Sequence, residues 1–201
     1  MKRILAILLI FLVTGCTVVR INTNNINTIV DVVLSKDNSL YNRVGKGYKY
    51  YVPRGVTYID TDDLNDKLYS KGNYYYLYVD AISYYNDTAV EYEEKSDIYY
   101  SRKISKEDGF RQSGYVEIEE KGQLYYVEFV YNHAKIEAIV SKEDLNDVIL
   151  NSAYILSTIQ FNSDVISLML DDEYFTNKEE KYEVFAKNEE NQNDSSLQVS
   201  R

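Results

Sequence analysis

The densest cluster of potential metal ligands in the sequence is the acidic run Asp60, Asp62, Asp63 and Asp66. Closely spaced carboxylates suit hard cations such as calcium. The run does not match an EF-hand loop, because Leu64 stands at the fifth position, Asn65 replaces the turn glycine and Lys71 replaces the bidentate glutamate. We interpret these acids as the cap and first turn of a short helix over about 64–69, with a weak surface calcium site as the alternative. Our prediction is that the protein holds no metal and no cofactor.

His133 and Cys16 are the only histidine and the only cysteine of the chain. Tetrahedral zinc sites need more such ligands, and Cys–His catalysis needs a free thiol, which the modification of Cys16 predicted below would remove. The sequence also lacks the Gly-x-Ser-x-Gly motif of a serine nucleophile and the glycine-rich loops that hold phosphates. We interpret His133 as an exposed residue of a hairpin turn and predict no catalytic residues.

The glutamates that could form a carboxylate pair for glycoside cleavage are Glu91, Glu93, Glu94, Glu117 and Glu119. The distance between two carboxylates decides such chemistry, and spacing along the chain does not give that distance. Glu117 and Glu119 alternate with apolar residues, a pattern typical of a strand with one buried and one solvent-facing side. We predict that the protein is not an enzyme, with a carboxylate-dependent wall hydrolase as the remaining enzymatic alternative.

Tyrosine is the strongest compositional bias of the chain, which contains 22 tyrosines and no tryptophan. A tyrosine side chain combines a large apolar area with a polar hydroxyl, so it suits both cross-strand packing and the recognition of a sugar or a peptide. Tyr74, Tyr76 and Tyr78 alternate with Tyr75 and Leu77 and would therefore lie on one face of a strand. We interpret most tyrosines as packing residues and name Tyr74, Tyr76 and Tyr78 as a candidate binding patch.

The first sixteen residues have the order of an export signal. Lys2 and Arg3 precede the apolar run 4–13, which is too short for a membrane-spanning helix of about 20 residues. The segment Val13-Thr14-Gly15-Cys16 that follows resembles the lipobox of bacterial prolipoproteins. The resemblance implies cleavage between Gly15 and Cys16 and a diacylglyceryl thioether on Cys16. Two acyl chains form a stable anchor, so we expect a lipoprotein held on the extracytoplasmic face of the cell membrane.

The periodicity of apolar residues predicts the secondary structure of the rest of the chain. Helices are expected over about 26–36, over 145–159 behind a capping box at Ser141 and Asp144, and over 165–170. Strands are expected over 48–52, 56–59, 74–84, 98–104, 115–120, 124–131 and 135–140. Turns at Lys121-Gly122 and Asn132-His133 make the later strands an antiparallel meander. The prediction is an α+β fold with roughly five to seven mostly antiparallel strands and at least two packing helices.

The predicted organisation contains a single domain. Residues 1–15 form the lipoprotein signal peptide, 16–25 the lipidated Cys with a short polar tether, and 26–170 the globular domain. Residues 171–201 are acidic and largely aperiodic, so we predict a mostly disordered tail.

Two segments of this domain resemble a known family. Tyr48-Lys49-Tyr50-Tyr51-Val52-Pro53-Arg54-Gly55-Val56 resembles the opening strand and Pro-x-Gly turn of PsbP-like proteins. Ile155-Leu156-Ser157-Thr158-Ile159-Gln160-Phe161 resembles their closing helix-to-strand segment, so the resemblance spans about 45–162. It implies an antiparallel sheet flanked by helices, in a family of small extracytoplasmic or lumenal accessory proteins that mostly lack catalysis.

The formal net charge of −10 argues against a nucleic-acid partner. The predicted anchor and the resemblance favour a non-enzymatic accessory or interaction module of the cell envelope, attached to membrane lipid through Cys16 and binding an envelope protein. The alternative is a solute- or glycan-binding lipoprotein with a tyrosine-lined pocket. An exposed tyrosine patch would favour the first function, and a concave pocket of convergent tyrosines would favour the second.

Overall fold

The computed structural model describes residues 23–105 and 112–171. The predicted signal peptide, Gly15, Cys16, the first part of the tether and residues 172–201 lie outside this part of the chain. The described residues form one α+β domain with a seven-stranded antiparallel sheet, a three-stranded sheet and four helices. This confirms the prediction of a single α+β domain with an antiparallel sheet flanked by helices.

The helices are α1 (Ile26–Leu34), α2 (Ala81–Tyr85), α3 (Leu145–Ser157) and α4 (Ser163–Asp171). The strands are β1 (Arg43–Val44), β2 (Tyr48–Tyr50), β3 (Thr57–Asp62), β4 (Asn65–Ser70), β5 (Asn73–Val79), β6 (Tyr100–Ile104), β7 (Gly114–Lys121), β8 (Leu124–Tyr131), β9 (Ala134–Val140) and β10 (Gln160–Phe161). The large sheet has the order β3-β4-β5-β9-β8-β7-β6, and the small sheet has the order β1-β2-β10.

Strands β6 to β9 form the predicted meander. Gly122 has a φ of 67° in the β7–β8 turn, and Asn132 and His133 have φ values of 53° and 55° in the β8–β9 turn. Two successive residues with positive φ make a turn whose twist suits an antiparallel hairpin. Strand β9 then pairs with β5, which joins the meander to the β3–β4–β5 part of the sheet.

The core lies between one face of the large sheet and two helices. Helix α3 packs on β8 and β9, and α1 packs on α3. The apolar stripe of α1 is buried, as its spacing predicts, and consists of Ile29, Val30, Val33 and Leu34. The Asn25 side chain caps this helix by accepting a hydrogen bond from the Thr28 amide at 3.2 Å. Phe129 and Ile136, which face the helices from β8 and β9, are fully buried.

A buried carboxylate, that of Asp66 in β4, joins the two sheets. Asp66 is 2% exposed. Its Oδ2 accepts hydrogen bonds from the hydroxyls of Tyr50 at 2.6 Å and Tyr48 at 3.2 Å, both in β2. The Thr61 hydroxyl donates to Oδ1. Because three hydroxyl donors replace the water that a carboxylate loses on burial, Asp66 can lie between the sheets without an unpaired oxygen.

We predicted a short helix over residues 64–69. Instead, Leu64 lies in a turn and the other five residues belong to β4. Asp63 has a φ of 51° in the turn before the strand, and β4 pairs with β3 on one side and β5 on the other. The acidic run therefore lies in a hairpin and not at a helix cap. The prediction was wrong because pairing with two neighbouring strands, which is a tertiary interaction, outweighs the local capping pattern.

The strand predicted over 74–84 ends at Val79. The Asp80 carboxylate accepts a hydrogen bond from the Ser83 amide at 2.8 Å and caps α2, so the chain leaves the sheet at this point. Asp80 and Ser83 have the spacing of a helix start, but the surrounding tyrosines suggested a continuous strand.

Further details of the elements differ from the predictions. Ten strands are found in the described residues, because β1, β4 and β10 add to the seven predicted ones. Strands β1 and β10 pair with β2 in the small sheet, so β2 and β3 belong to different sheets. Helix α3 ends at Ser157, two residues before the predicted end. The Asp144 residue precedes this helix, but its carboxylate accepts a hydrogen bond from the Ser141 hydroxyl at 3.2 Å and makes no capping bond to the helix backbone. The short helix predicted over 165–170 is confirmed as part of α4.

Candidate functional site

The face of the large sheet opposite α3 carries the three tyrosines of the candidate patch. Tyr76 in β5 pairs with Lys67 in β4 and with Glu137 in β9, so these three side chains leave the sheet on one side. Tyr75 and Leu77 of the same strand point to the other side and are buried in the core. The following residues of β4 and β5 are called the tyrosine–lysine face: Lys67, Tyr69, Tyr74, Tyr76 and Tyr78.

The Lys67 side chain lies close to two aromatic rings on this face. Its Nζ lies 4.5 Å from the ring centroid of Tyr74 and 5.6 Å from that of Tyr76. The rings of Tyr69 and Tyr74 are 5.1 Å apart. Tyr74 is 45% exposed, while Tyr76 and Tyr78 are half-buried. No carboxylate in the described residues forms an ion pair with Lys67, so its charge is available to an external group.

A row of glutamates from adjacent strands continues this face, and it consists of Glu137 in β9, Glu128 in β8 and Glu117 in β7. Glu128 lies directly opposite both of the others, at the cross-strand spacing of about 5 Å between Cβ atoms. Glu117 and Glu137 are only 7% and 6% exposed. Carboxylates with so little contact to water require donors from the protein.

Lysine and tyrosine side chains supply those donors to Glu137 and Glu128. The Lys135 Nζ lies 2.6 Å from Glu137 and 3.8 Å from Glu128. The hydroxyls of Tyr115 and Tyr126 donate to Glu128 at 2.5 and 3.4 Å. Burial raises the pKa of both tyrosines, and the neighbouring carboxylates raise it further. An ordinary tyrosine hydroxyl is already protonated at physiological pH, so both hydroxyls act as donors there.

Glu117 is covered by the chain segment between α2 and β6. Within this segment Tyr92 donates to Glu117 at 2.9 Å and Lys95 forms an ion pair with it at 2.6 Å. The Tyr92 ring stacks on Tyr115 with centroids 4.0 Å apart. We predicted a solvent-facing Glu117 from the alternating pattern, and this was wrong because a segment distant from β7 in sequence packs over the strand.

The other glutamates considered for a carboxylate pair bond to other groups or face solvent. Glu119 forms an ion pair with Lys121 at 2.6 Å, and the hydrogen bond from this lysine lowers the pKa of Glu119. Glu94 accepts a hydrogen bond from the Lys103 amide at 2.8 Å, and Glu91 and Glu93 are exposed. In residues 23–105 and 112–171, no group of three or more His, Cys, Asp or Glu side chains is placed to hold a metal.

A pocket of about 350 Å³ lies at the end of the domain where β8 turns into β9. We call it the end pocket and define it by Asp37, Tyr84, Tyr131, Asn132, Gln160 and Phe161. The tyrosines in its wall are thus different from those of the candidate patch. The sequence did not indicate this pocket, because its walls come from α1, α2, α3, β8 and β10.

His133 lies beside the end pocket and is only 4% exposed. The rings of Tyr84 and Phe161 meet the imidazole edge-on at 5.8 and 6.2 Å, and Nδ1 lies 3.1 Å from the Ser83 hydroxyl. The prediction of an exposed His133 was therefore wrong. The turn itself is where the sequence placed it, but α2 and β10 cover it.

No helix in the described part of the chain has the length and apolar character needed to cross a membrane. The chain matches no known family model, no curated protein and no solved structure. The function must therefore be inferred from the sequence and from the geometry of these surfaces.

Proposed function

We propose that this chain is a lipoprotein anchored through Cys16 on the extracytoplasmic face of the cell membrane, where it acts as a non-enzymatic interaction module of the cell envelope. Its partner is an envelope protein that presents a carboxylate among apolar groups to the tyrosine–lysine face. The main support is Lys67, whose ammonium lies over the rings of Tyr74 and Tyr76 without an ion-pair partner in the described residues.

The chemistry of this face suits a protein partner. Tyrosine is enriched at the centres of protein interfaces, where single side chains contribute about 2 kcal/mol or more. Tyr74 is the most accessible ring of the face, at 45% exposure. The net charge of −10 repels an acidic partner from most of the surface, so an unpaired lysine would determine where such a partner docks.

The position of α1 is compatible with a membrane tether. Nine residues, 17–25, separate Cys16 from Ile26 at the start of α1, and a chain of this length reaches roughly 30 Å when extended. The last residue of α1, Leu34, lines the end pocket. The first turn of α1, at the other end of this helix, therefore lies away from that pocket.

The finer assignment of the fold as PsbP-like belongs to the same proposal. It is supported by the neighbourhood of the two segments that resemble the family, because β10 pairs with β2 through Phe161 and Tyr48 and through Gln160 and Lys49. An accessory role without catalysis also agrees with the glutamate row, in which each carboxylate is bonded to tyrosine or lysine side chains.

Metabolic labelling tests the anchor. The full-length chain and its Cys16→Ser variant are expressed in a bacterium supplied with labelled palmitate. We expect label and membrane retention for the parent chain and the loss of both in the variant, because the thioether requires the sulfur. An unlabelled parent chain, or equal retention of the variant in the membrane fraction, would contradict the proposed anchor.

Site-specific crosslinking tests the tyrosine–lysine face. A photo-crosslinking amino acid replaces Tyr74 in one chain and Tyr85 of α2, which is 51% exposed, in a matched control. We expect one envelope protein to crosslink from position 74 but not from position 85, and Lys67→Glu to abolish that product by repelling the carboxylate. The same product from both positions, or crosslinking that survives Lys67→Glu, argues against this face as the interface.

A further inference from the structure

The end pocket has the construction of a binding site for a small molecule. Its volume of about 350 Å³ is at the lower end of the range of roughly 300–1,000 Å³ for ligand pockets, which suits a ligand with a single ring. Its walls combine aromatic rings with amide and hydroxyl groups. Such a combination binds molecules that have both an apolar surface and several hydrogen-bonding groups.

Two aromatic rings form a rigid part of the wall. Tyr84 and Phe161 stack with centroids 4.0 Å apart and ring planes 14° apart. The imidazole of His133 makes an edge-on contact with both rings. Because three rings support one another, the apolar wall is ordered before a ligand arrives, which reduces the entropy cost of binding.

Two amide side chains of the wall are held in fixed orientations. The Asn132 Nδ2 donates to the carbonyl of Ile159 at 2.8 Å, and the Gln160 Nε2 donates to the carbonyl of Ser39 at 3.0 Å. Each amide thereby uses its nitrogen within the protein, and no described group donates to its oxygen. These oxygens are acceptors for hydroxyl groups of a ligand.

The charges at the end pocket favour a neutral ligand. Lys36 and Asp37 both line the pocket and have opposite signs, so they contribute no net charge. The Tyr131 hydroxyl, also in the wall, is protonated at physiological pH as an ordinary tyrosine is, and burial, with a smaller contribution from Asp37, raises its pKa further to about 12. The pocket therefore offers neutral hydroxyl and amide groups beside one charge of each sign, with no net charge that would select a charged ligand.

From this geometry we infer that the end pocket binds a neutral sugar of monosaccharide size. The apolar face of the pyranose ring contacts the wall formed by Tyr84 and Phe161, and its hydroxyls donate to the amide oxygens of Asn132 and Gln160. This inference does not depend on the tyrosine–lysine face, which lies on other strands.

Saturation-transfer NMR on the purified chain tests this inference with glucose, N-acetylglucosamine and glycine as probes. We expect transfer to at least one of the sugars and none to glycine, which has no ring to contact the aromatic wall. Transfer to neither sugar, or preferential transfer to glycine, overturns the inference.

Variants locate the binding in the end pocket. Gln160→Leu removes one acceptor and should weaken sugar binding roughly tenfold. The matched control is Gln123→Leu, because Gln123 is an exposed residue of the β7–β8 turn at the opposite end of β8 and its replacement should not change binding.

A second variant, Phe161→Leu, removes the aromatic wall and should reduce sugar transfer to the same or a greater extent. Circular dichroism melting establishes that each variant is folded. If folded Gln160→Leu and Phe161→Leu bind the sugar as tightly as the parent chain does, the sugar does not occupy the end pocket.

Discussion

The hydrogen bond from Tyr50 to Asp66 links the two sheets, and its contribution to stability can be isolated with a matched pair of substitutions. Tyr50 and Tyr75 are 0% and 1% exposed, and each hydroxyl makes one hydrogen bond. The Tyr50 hydroxyl donates to the Asp66 carboxylate at 2.6 Å, whereas the Tyr75 hydroxyl accepts from the neutral Asn151 amide at 3.0 Å. Tyr→Phe removes one hydroxyl in each case and leaves the buried ring.

The two substitutions should therefore differ in cost. A hydrogen bond to a charged group contributes about 1.5–3 kcal/mol to the free energy of unfolding, and a neutral one about 0.5–1.5 kcal/mol. Tyr50→Phe also leaves Asp66, at 2% exposure, with one donor fewer, while Asn151 is half-buried and can bond to water after Tyr75→Phe. We expect Tyr50→Phe to destabilise the protein by about 1 kcal/mol more than Tyr75→Phe does.

Urea unfolding followed by far-ultraviolet circular dichroism measures both free energies. An unchanged slope of free energy against urea would show that both variants unfold from the same compact state. If Tyr75→Phe costs as much as Tyr50→Phe or more, the assignment of a charge-assisted bond between the sheets is refuted.

Buried tyrosine hydroxyls and two glycines provide further tests. Burial raises the pKa of Tyr131 from 10.0 to about 12, so its stabilising contribution is complete below pH 10.0 and is lost as the pH rises through about 12. Tyrosinate absorbance should accordingly show a late-titrating class in the folded protein that is absent in denaturant; a single class near the ordinary value in both states would contradict this. A Cβ on Gly114 would lie 1.9 Å from the Val130 carbonyl oxygen, so Gly114→Ala should cost roughly 3 kcal/mol or more in urea unfolding. A Cβ on Gly122 would contact no neighbour, so Gly122→Ala should lower the free energy of unfolding by only about 1 kcal/mol, because of the positive φ. Equal losses of stability in the two variants would show that the close approach of β7 and β8 at Gly114 does not exclude a side chain.

Local sequence patterns were sufficient to predict elements that depend on residues close together in the chain. Helix α1 and the turns that contain Gly122 and Asn132-His133 lie where the local patterns predicted them. In each case the determining interaction is a hydrogen bond or a backbone preference between near neighbours. The same reasoning failed at 64–69, where β4 is held by strands on both sides.

The candidate sites could be predicted only in part. The alternation of Tyr74, Tyr76 and Tyr78 correctly placed them on one face of β5. Lys67 joins them through the register between β4 and β5, which the sequence does not show. Glu128 and Glu137 were missed for the same reason, because their proximity to Glu117 depends on the pairing of three strands.

The sequence by itself determined the α+β composition, the positions of the main helices and hairpins, and the expectation of an anchor at Cys16, because these follow from periodicity and from short contiguous motifs. The tertiary structure alone decided which polar groups are buried and what they contact. Asp66 is enclosed by β2, Glu117 by Tyr92 and Lys95, and His133 by α2 and β10. Burial of this kind depends on segments that are far apart in the chain and meet only when the sheets and helices pack.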